Sequence, residues 1–255
     1  MPVKEEAGDT VWVESEMYLV ADDSGAWRWF LGDSPEFVED AIAQYGDSDA
    51  AANAPAAGNL LEGDLIQNVV NDLDAFYADV ISYTEFTYHS PGVVVVVPGE
   101  GAMSACGPAQ GTFAGFYCPP DQTLYLDQAF MESQNPFAAA FVIAHEWAHH
   151  IQTSTSFVRV GPGEEPETWN SVYSIELEIM ADCMSGVWAY DATARGVLQE
   201  GDIDQPVQFA LEVLGDPAFV GPYDPQAHGT GEQRARAIMN GYEEGFLACD
   251  VSIDA

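Results

Sequence analysis

Residues 136–152, PFAAAFVIAHEWAHHIQ, most constrain what this chain can fold into. The segment is too apolar for a surface, yet it carries His145, Glu146, His149 and His150. At 3.6 residues per turn a helix puts His145 and His149 on one face, with Glu146 beside the first. The flanks predict that helix: Asn135 is an N-cap, Pro136 a first helical residue, and Phe137, Phe141, Ala144, Ala148 and Ile151 a buried stripe. Two imidazoles one turn apart can bind a single Zn²⁺ through neutral ring nitrogens, and Glu146 can reach a water at the open coordination position. His150 points about 100° away from His149 and reads as structural. His89 has no motif around it.

A catalytic zinc keeps three protein ligands and one water, so a third ligand is expected downstream, on an element packed against the first helix. Residues 171–190 read as a helix with Val172, Ile175, Ile179, Cys183 and Val187 facing inward. The same face brings Glu178 and Asp182 together at i and i+4. Carboxylates beside an apolar stripe are costly unless used. Glu178 is therefore the expected third ligand. Asp182 is the expected acceptor for the outer N–H of a ligating His, which sets its tautomer and raises its basicity. Glu176 is a rival ligand but has no Asp four residues on, because position 180 is Met.

Around this helix pair the patterning predicts a mostly helical α+β fold. Leu61, Leu65, Val69, Leu73, Phe76 and Val80 trace an opening helix, and further helices start near 206 and 231. Runs at 92–97, 112–117 and 123–127 are β-branched or alternating and bounded by Gly and Pro, which predicts a small antiparallel sheet. Residues 60–255 form the expected catalytic domain. Residues 46–59 are small, polar and Pro-containing and read as a linker. Residues 1–45 form a small β-rich appendage: two or three strands around a DDSG turn, then a short helix at 35–45, with Trp27, Trp29 and Phe30 as its core.

The chain holds 42 acidic against 6 basic residues, a formal charge of −36. Nucleic acid is excluded as a partner by that charge. Self-repulsion at this density is relieved by salt, which predicts a saline or cation-rich setting; the alternative is attraction of basic peptides, to which acidic residues 161–168 would contribute. No hydrophobic run is long enough to cross a bilayer. The four cysteines contain no CxxC pair, which argues against a second zinc site. Cys106 and Cys118 flank a short loop and invite a disulfide, and Cys183 and Cys249 can pair across the domain. Disulfides imply an oxidising, extracytoplasmic compartment, whereas MPVKEEAGDT has neither the basic start nor the apolar core of a signal peptide, so a cytoplasmic location is the alternative.

Four segments taken together, HEWAHHIQ, EIMADCMSGVWA, SACGPAQGTFAGFYCPPDQTLYLD and HGTGEQRARAIMNGYEEG, resemble the bacterial neutral zinc metallopeptidase family over about residues 60–250. The resemblance implies a gluzincin-like, thermolysin-like arrangement: one Zn²⁺ on His145, His149 and Glu178, Asp182 behind a ligand, and Glu146 as general base for a zinc-activated water. A peptide or protein would be the substrate. By the same analogy His228, in the loop PYDPQAHGTG ahead of a helix whose Thr230 and Gln233 have capping-box spacing, would donate to the oxyanion. An edge strand above the metal, Leu124 to Asp127, would pair with substrate backbone. Two other readings remain from different classes: a catalytically silent zinc-binding interaction module, against which Glu146 argues, and a structural domain with an accidental motif, against which Glu178 and Asp182 argue.

Overall fold

The computed structural model describes strands within residues 2–32, residues 60–155 apart from 85, 111 and 112, and residues 174–249 apart from 200, 218, 222, 223, 225 and 226. In the N-terminal part β1 (Pro2–Lys4) pairs antiparallel with β2 (Thr10–Trp12), and β3 (Glu16–Ala21) with β4 (Trp27–Gly32) in the register Ala21↔Trp27. The DDSG turn, the helix expected at 35–45 and the linker expected at 46–59 lie outside the described residues, as do the side chains of Trp27, Trp29 and Phe30.

From residue 60 onward the first helix is α1 (Leu65–Ser82), capped by Asp64, whose carboxylate accepts the Gln67 N–H. Its buried line is Val69, Leu73, Tyr77 and Ile81, rotated from the expected stripe, because Asp72 also turns inward. Asp72 is paired there: Trp188 Nε1 donates to it at 2.8 Å, and the Arg195 guanidinium grips both its oxygens. A buried carboxylate so compensated ties α1 to the helix that carries Trp188 instead of repelling it.

Three strands form the central sheet in the order β5 (Gly92–Val96), β9 (Thr123–Asp127), β8 (Gly115–Cys118). The sheet is mixed where an antiparallel one was expected: β8 and β9 are a hairpin, but β5 runs parallel to β9. The reason is the length of chain between β5 and β8, which forms its own hairpin, β6 (Ala102–Ser104) with β7 (Gly107–Ala109), and crosses over to return on the far side of β9. The Cys106–Cys118 disulfide fastens that hairpin to the end of β8.

After α2 (Gln128–Ser133), the central helix α3 spans Pro136–Ser154 with Asn135 as N-cap and Pro136 at its start. Phe137 through Gln152 are all buried, so α3 has no polar face. It is enclosed by α1, α2, α4 (Ser174–Ala194), α5 (Asp204–Phe209), β8 and β9. A π-helical turn, Ala210–Leu214, extends α5, and α6 (Gly231–Glu244) begins with the expected capping box of Thr230 and Gln233. The α4/α6 crossing is unusually close. A Cβ on Gly241 would lie 1.9 Å from the Cys183 carbonyl oxygen, and one on Gly186 2.1 Å from that of Ile238. Only hydrogen fits at those positions. A second disulfide, Cys183–Cys249, joins α4 to the 3₁₀ turn Phe246–Cys249 beside this crossing. No described helix is long and apolar enough to cross a membrane.

Candidate metal centre

The site is built where α3, α4 and α6 meet under the edge of β8. His145 Nε2 and His149 Nε2 project from α3 to within 3.1 Å of each other. From α4, Glu178 places Oε2 2.9 Å from the first nitrogen and Oε1 3.3 Å from the second. Among the described residues these three form the one cluster with metal-ligand spacing, all ligand atoms lying within 4.8 Å of one another. Glu176 lies outside it.

The outer nitrogens decide the tautomers. His145 Nδ1 donates to Asp182 Oδ1 at 2.8 Å. His149 Nδ1 meets Gln152 Oε1 at 2.8 Å, and since Gln152 Nε2 donates to the Leu177 carbonyl, Oε1 is the acceptor and His149 Nδ1 carries its hydrogen. Both Nε2 atoms therefore direct lone pairs at the same point, facing the oxygens of a carboxylate. Such a set of acceptors is stable only with a cation among them. A proton can serve: burial opposes charge on His145, but Glu178 and Asp182 outweigh it and hold its pKa up at about 10. A His₂Glu set with anchored rings also fits zinc, the anchoring being what a metal-binding imidazole requires of its surroundings.

Asp182 is itself held by a residue the sequence reading missed. Arg234 on α6, 4% exposed, donates Nε to Asp182 Oδ2 at 2.7 Å and Nη2 to Oδ1 at 2.9 Å. Burial alone would raise the Asp182 pKa, but this guanidinium outweighs it and, with His145, keeps the carboxyl low and ionised. Arg234 Nη1 also donates to the Leu214 carbonyl at 3.3 Å, which fixes the π-helical turn against the site. One cue was available: in a chain with only six basic residues, an Arg inside a predicted core helix stands out. The Gln152 contact had a weaker cue, a polar residue one turn past His149 on a buried helix.

Glu146 lies beside the His pair, 8% exposed, with Oε2 accepting the Tyr117 main-chain N–H at 2.9 Å. That donor has no signature in sequence, being backbone. The strand above the site is thus β8, not the expected Leu124–Asp127, which is β9 and lies in the middle of the sheet with both edges paired. In the β8–β9 ladder, residues alternate between facing the partner and facing the free edge, and the Tyr117 N–H faces the free edge. Together β8, α3, the π-helical turn and α6 enclose an open cleft of about 380 Å³ whose wall includes Phe141, Val142, Val213 and Leu214. His228 lines the same cleft, half exposed. Asp216 holds its loop by accepting the His228 and Gly229 N–H groups, and its other oxygen is 3.4 Å from His228 Nδ1. His150 turns away from the cleft, as expected of a structural residue, and His89 contributes only its carbonyl, to His150.

The family described as "Putative neutral zinc metallopeptidase" matches residues 29–251, so the likeness starts within β4, ahead of the motifs that first pointed to it. The uncharacterized protein YpfJ of Escherichia coli (strain K12) is 32% identical over 177 residues, which cover 62% of this chain and 60% of that protein. The uncharacterized protein Rv2575 of Mycobacterium tuberculosis (strain ATCC 25618 / H37Rv) is 32% identical over 166 residues, 56% of either chain. The chain thus spans less than two thirds of the length of these relatives. No solved structure matches it.

Proposed function

This chain belongs to the neutral zinc metallopeptidase family, and from that premise we propose that it is a zinc-dependent endopeptidase with His145, His149 and Glu178 as metal ligands. The observation that carries the reading is the pair of imidazoles with anchored outer nitrogens and inner nitrogens turned on Glu178, with the Glu146 carboxylate alongside. A structural zinc site has no use for a carboxylate held next to the ligands but outside the ligand set.

Zinc bound there would supply the Lewis acidity that polarises a scissile carbonyl and lowers the pKa of a water. Glu146 takes the proton of the attacking water and hands it to the departing amine, one oxygen held by Tyr117 and the other left for the transfer. Asp182, clamped by Arg234, keeps His145 in its ligating tautomer. His228, presented by the Asp216-held loop, donates to the developing oxyanion. The free edge of β8 gives extended substrate a backbone to pair with, and Phe141, Val142 and Leu214 offer an apolar wall to a neighbouring side chain. The two disulfides support an extracytoplasmic location.

Metal content by mass spectrometry, with cleavage of quenched casein in molar salt, tests the reading on wild type and Glu178→Ala. Near-stoichiometric zinc with proteolysis, both lost in the variant, is the expected result. Zinc without cleavage of any peptide would leave a silent zinc-binding module, and zinc retained in Glu178→Ala would remove that residue from the ligand set.

A further inference from the structure

HEWAHH contains two i,i+4 pairs offset by one residue, and so by about 100° around α3. His145 and His149 turn to the metal point. The second pair, Glu146 and His150, turns to β8, and both members meet one residue there. Glu146 Oε2 accepts the Tyr117 main-chain N–H at 2.9 Å, and His150 Nδ1 lies 3.1 Å from the Tyr117 hydroxyl, the two rings edge to face at 5.4 Å. His150 Nε2 is 2.7 Å from the His89 carbonyl, which can only accept, so Nε2 carries the hydrogen and Nδ1 takes the one offered by Tyr117. Both ring nitrogens of a fully buried histidine are thereby used.

We propose that Tyr117 and His150 are positioning residues for Glu146: their side-chain bond docks the edge strand on α3 so that its N–H holds the base in line with the metal ligands. The need for it follows from the sheet. β8 is paired on one side only, so the ladder holds its β9 edge and leaves the other edge, where the Tyr117 N–H lies, to be positioned by contacts with α3. Its backbone lies directly on the stem of the base, a Cβ at Gly115 falling 3.3 Å from Glu146 Cγ. A bond from the same residue to the same helix face, one turn further on, removes the freedom that a lone N–H contact leaves. The inference rests on the peptidase reading, since it takes Glu146 to be the working base.

The test uses Tyr117→Phe, which deletes only the hydroxyl, and His150→Gln, which covers the case in which the first variant does not fold. Each is made alone and with Glu146→Gln. Zinc content, kcat and KM on a fluorogenic peptide, and the Kd of acetohydroxamate for the zinc-loaded protein are measured; the hydroxamate proton is a ligand for the Glu146 carboxylate that needs no turnover. Zinc should stay near stoichiometric and kcat should fall about tenfold, as for one lost hydrogen bond in the transition state, with KM within about twofold. Acetohydroxamate should bind several-fold more weakly, and in the Glu146→Gln background neither variant should weaken it further. A lower melting temperature with unchanged kcat and Kd, an equal loss in the Glu146→Gln background, or loss of zinc would each overturn the proposal. Should wild type bind zinc and acetohydroxamate but cleave nothing, the peptidase reading fails, and the binding cycle alone decides whether Tyr117 and His150 act through Glu146.

Discussion

Arg234 and Asp182 are a buried ion pair in which each charge exists by virtue of the other. Removing one leaves the other desolvated and unpaired, which costs about 3–5 kcal/mol. Arg234→Ala should lower stability in urea by that amount and weaken zinc binding, whereas Asp182→Asn in the same background should recover part of the stability but not the zinc affinity. Glu146→Gln, by contrast, should keep zinc and lose cleavage, since the amide cannot take a proton; a variant that still turned over substrate would remove Glu146 as the base. The chelator-treated protein should show a proton in place of the metal. Folded His145 holds its proton up to about pH 10, while an unfolded one releases it near 6.5. Across that window the native state binds the extra proton, so stability must fall as pH rises from 6.5 towards 10. The eleven tyrosines, which ordinarily titrate near 10, add to this decline only at its upper end, so the stretch between about pH 7 and 9 is the part that reports the histidine site. Calorimetry with EDTA should show the decline, and zinc, which needs His145 deprotonated at Nε2, should abolish it; a flat melting temperature without metal would sink this account.

The helices that carry the site were legible because their signals are local. Asn135–Pro136, the Thr230–Gln233 box and the i,i+4 carboxylates of α4 are decided within one or two turns of chain. The order of strands was not, because alternation reads the same at the edge of a sheet as in its middle. β9 has the better strand sequence for the same reason it is central: Leu124, Tyr125 and Leu126 are all buried. The α4/α6 crossing was also hidden, since a glycine in a helix gives no sign of what lies opposite. Gly241→Ala would push a methyl group into the Cys183 carbonyl and force the helices apart. We expect a loss of roughly 3 kcal/mol, with weaker zinc binding because α6 carries Arg234 and α4 carries Asp182. Unchanged stability would mean that the crossing has room for a methyl group.

For the molecule as a whole, charge is the dominant fact. With a formal charge of −36, the folded chain repels itself, and salt screens that repulsion over about 10 Å at 0.1 M. The melting temperature should rise between dilute buffer and molar NaCl, and a fall or no change would remove the saline adaptation. The cleft departs from the surrounding acidity, with its apolar wall, His228 and Arg234 facing the ligands. Composition and local spacing by themselves determined the helical class, the shared face of His145 and His149 and the Glu178–Asp182 pair on a second helix, because each follows from the period of a helix, whereas four thiols allow three pairings and only the fold shows Cys106 with Cys118 and Cys183 with Cys249. Tertiary structure alone decided that β8 covers the site, that Arg234 holds Asp182, and that Tyr117 joins Glu146 to His150. Those contacts join residues 29 to 52 positions apart, and one of them uses a main-chain N–H that every residue but proline possesses.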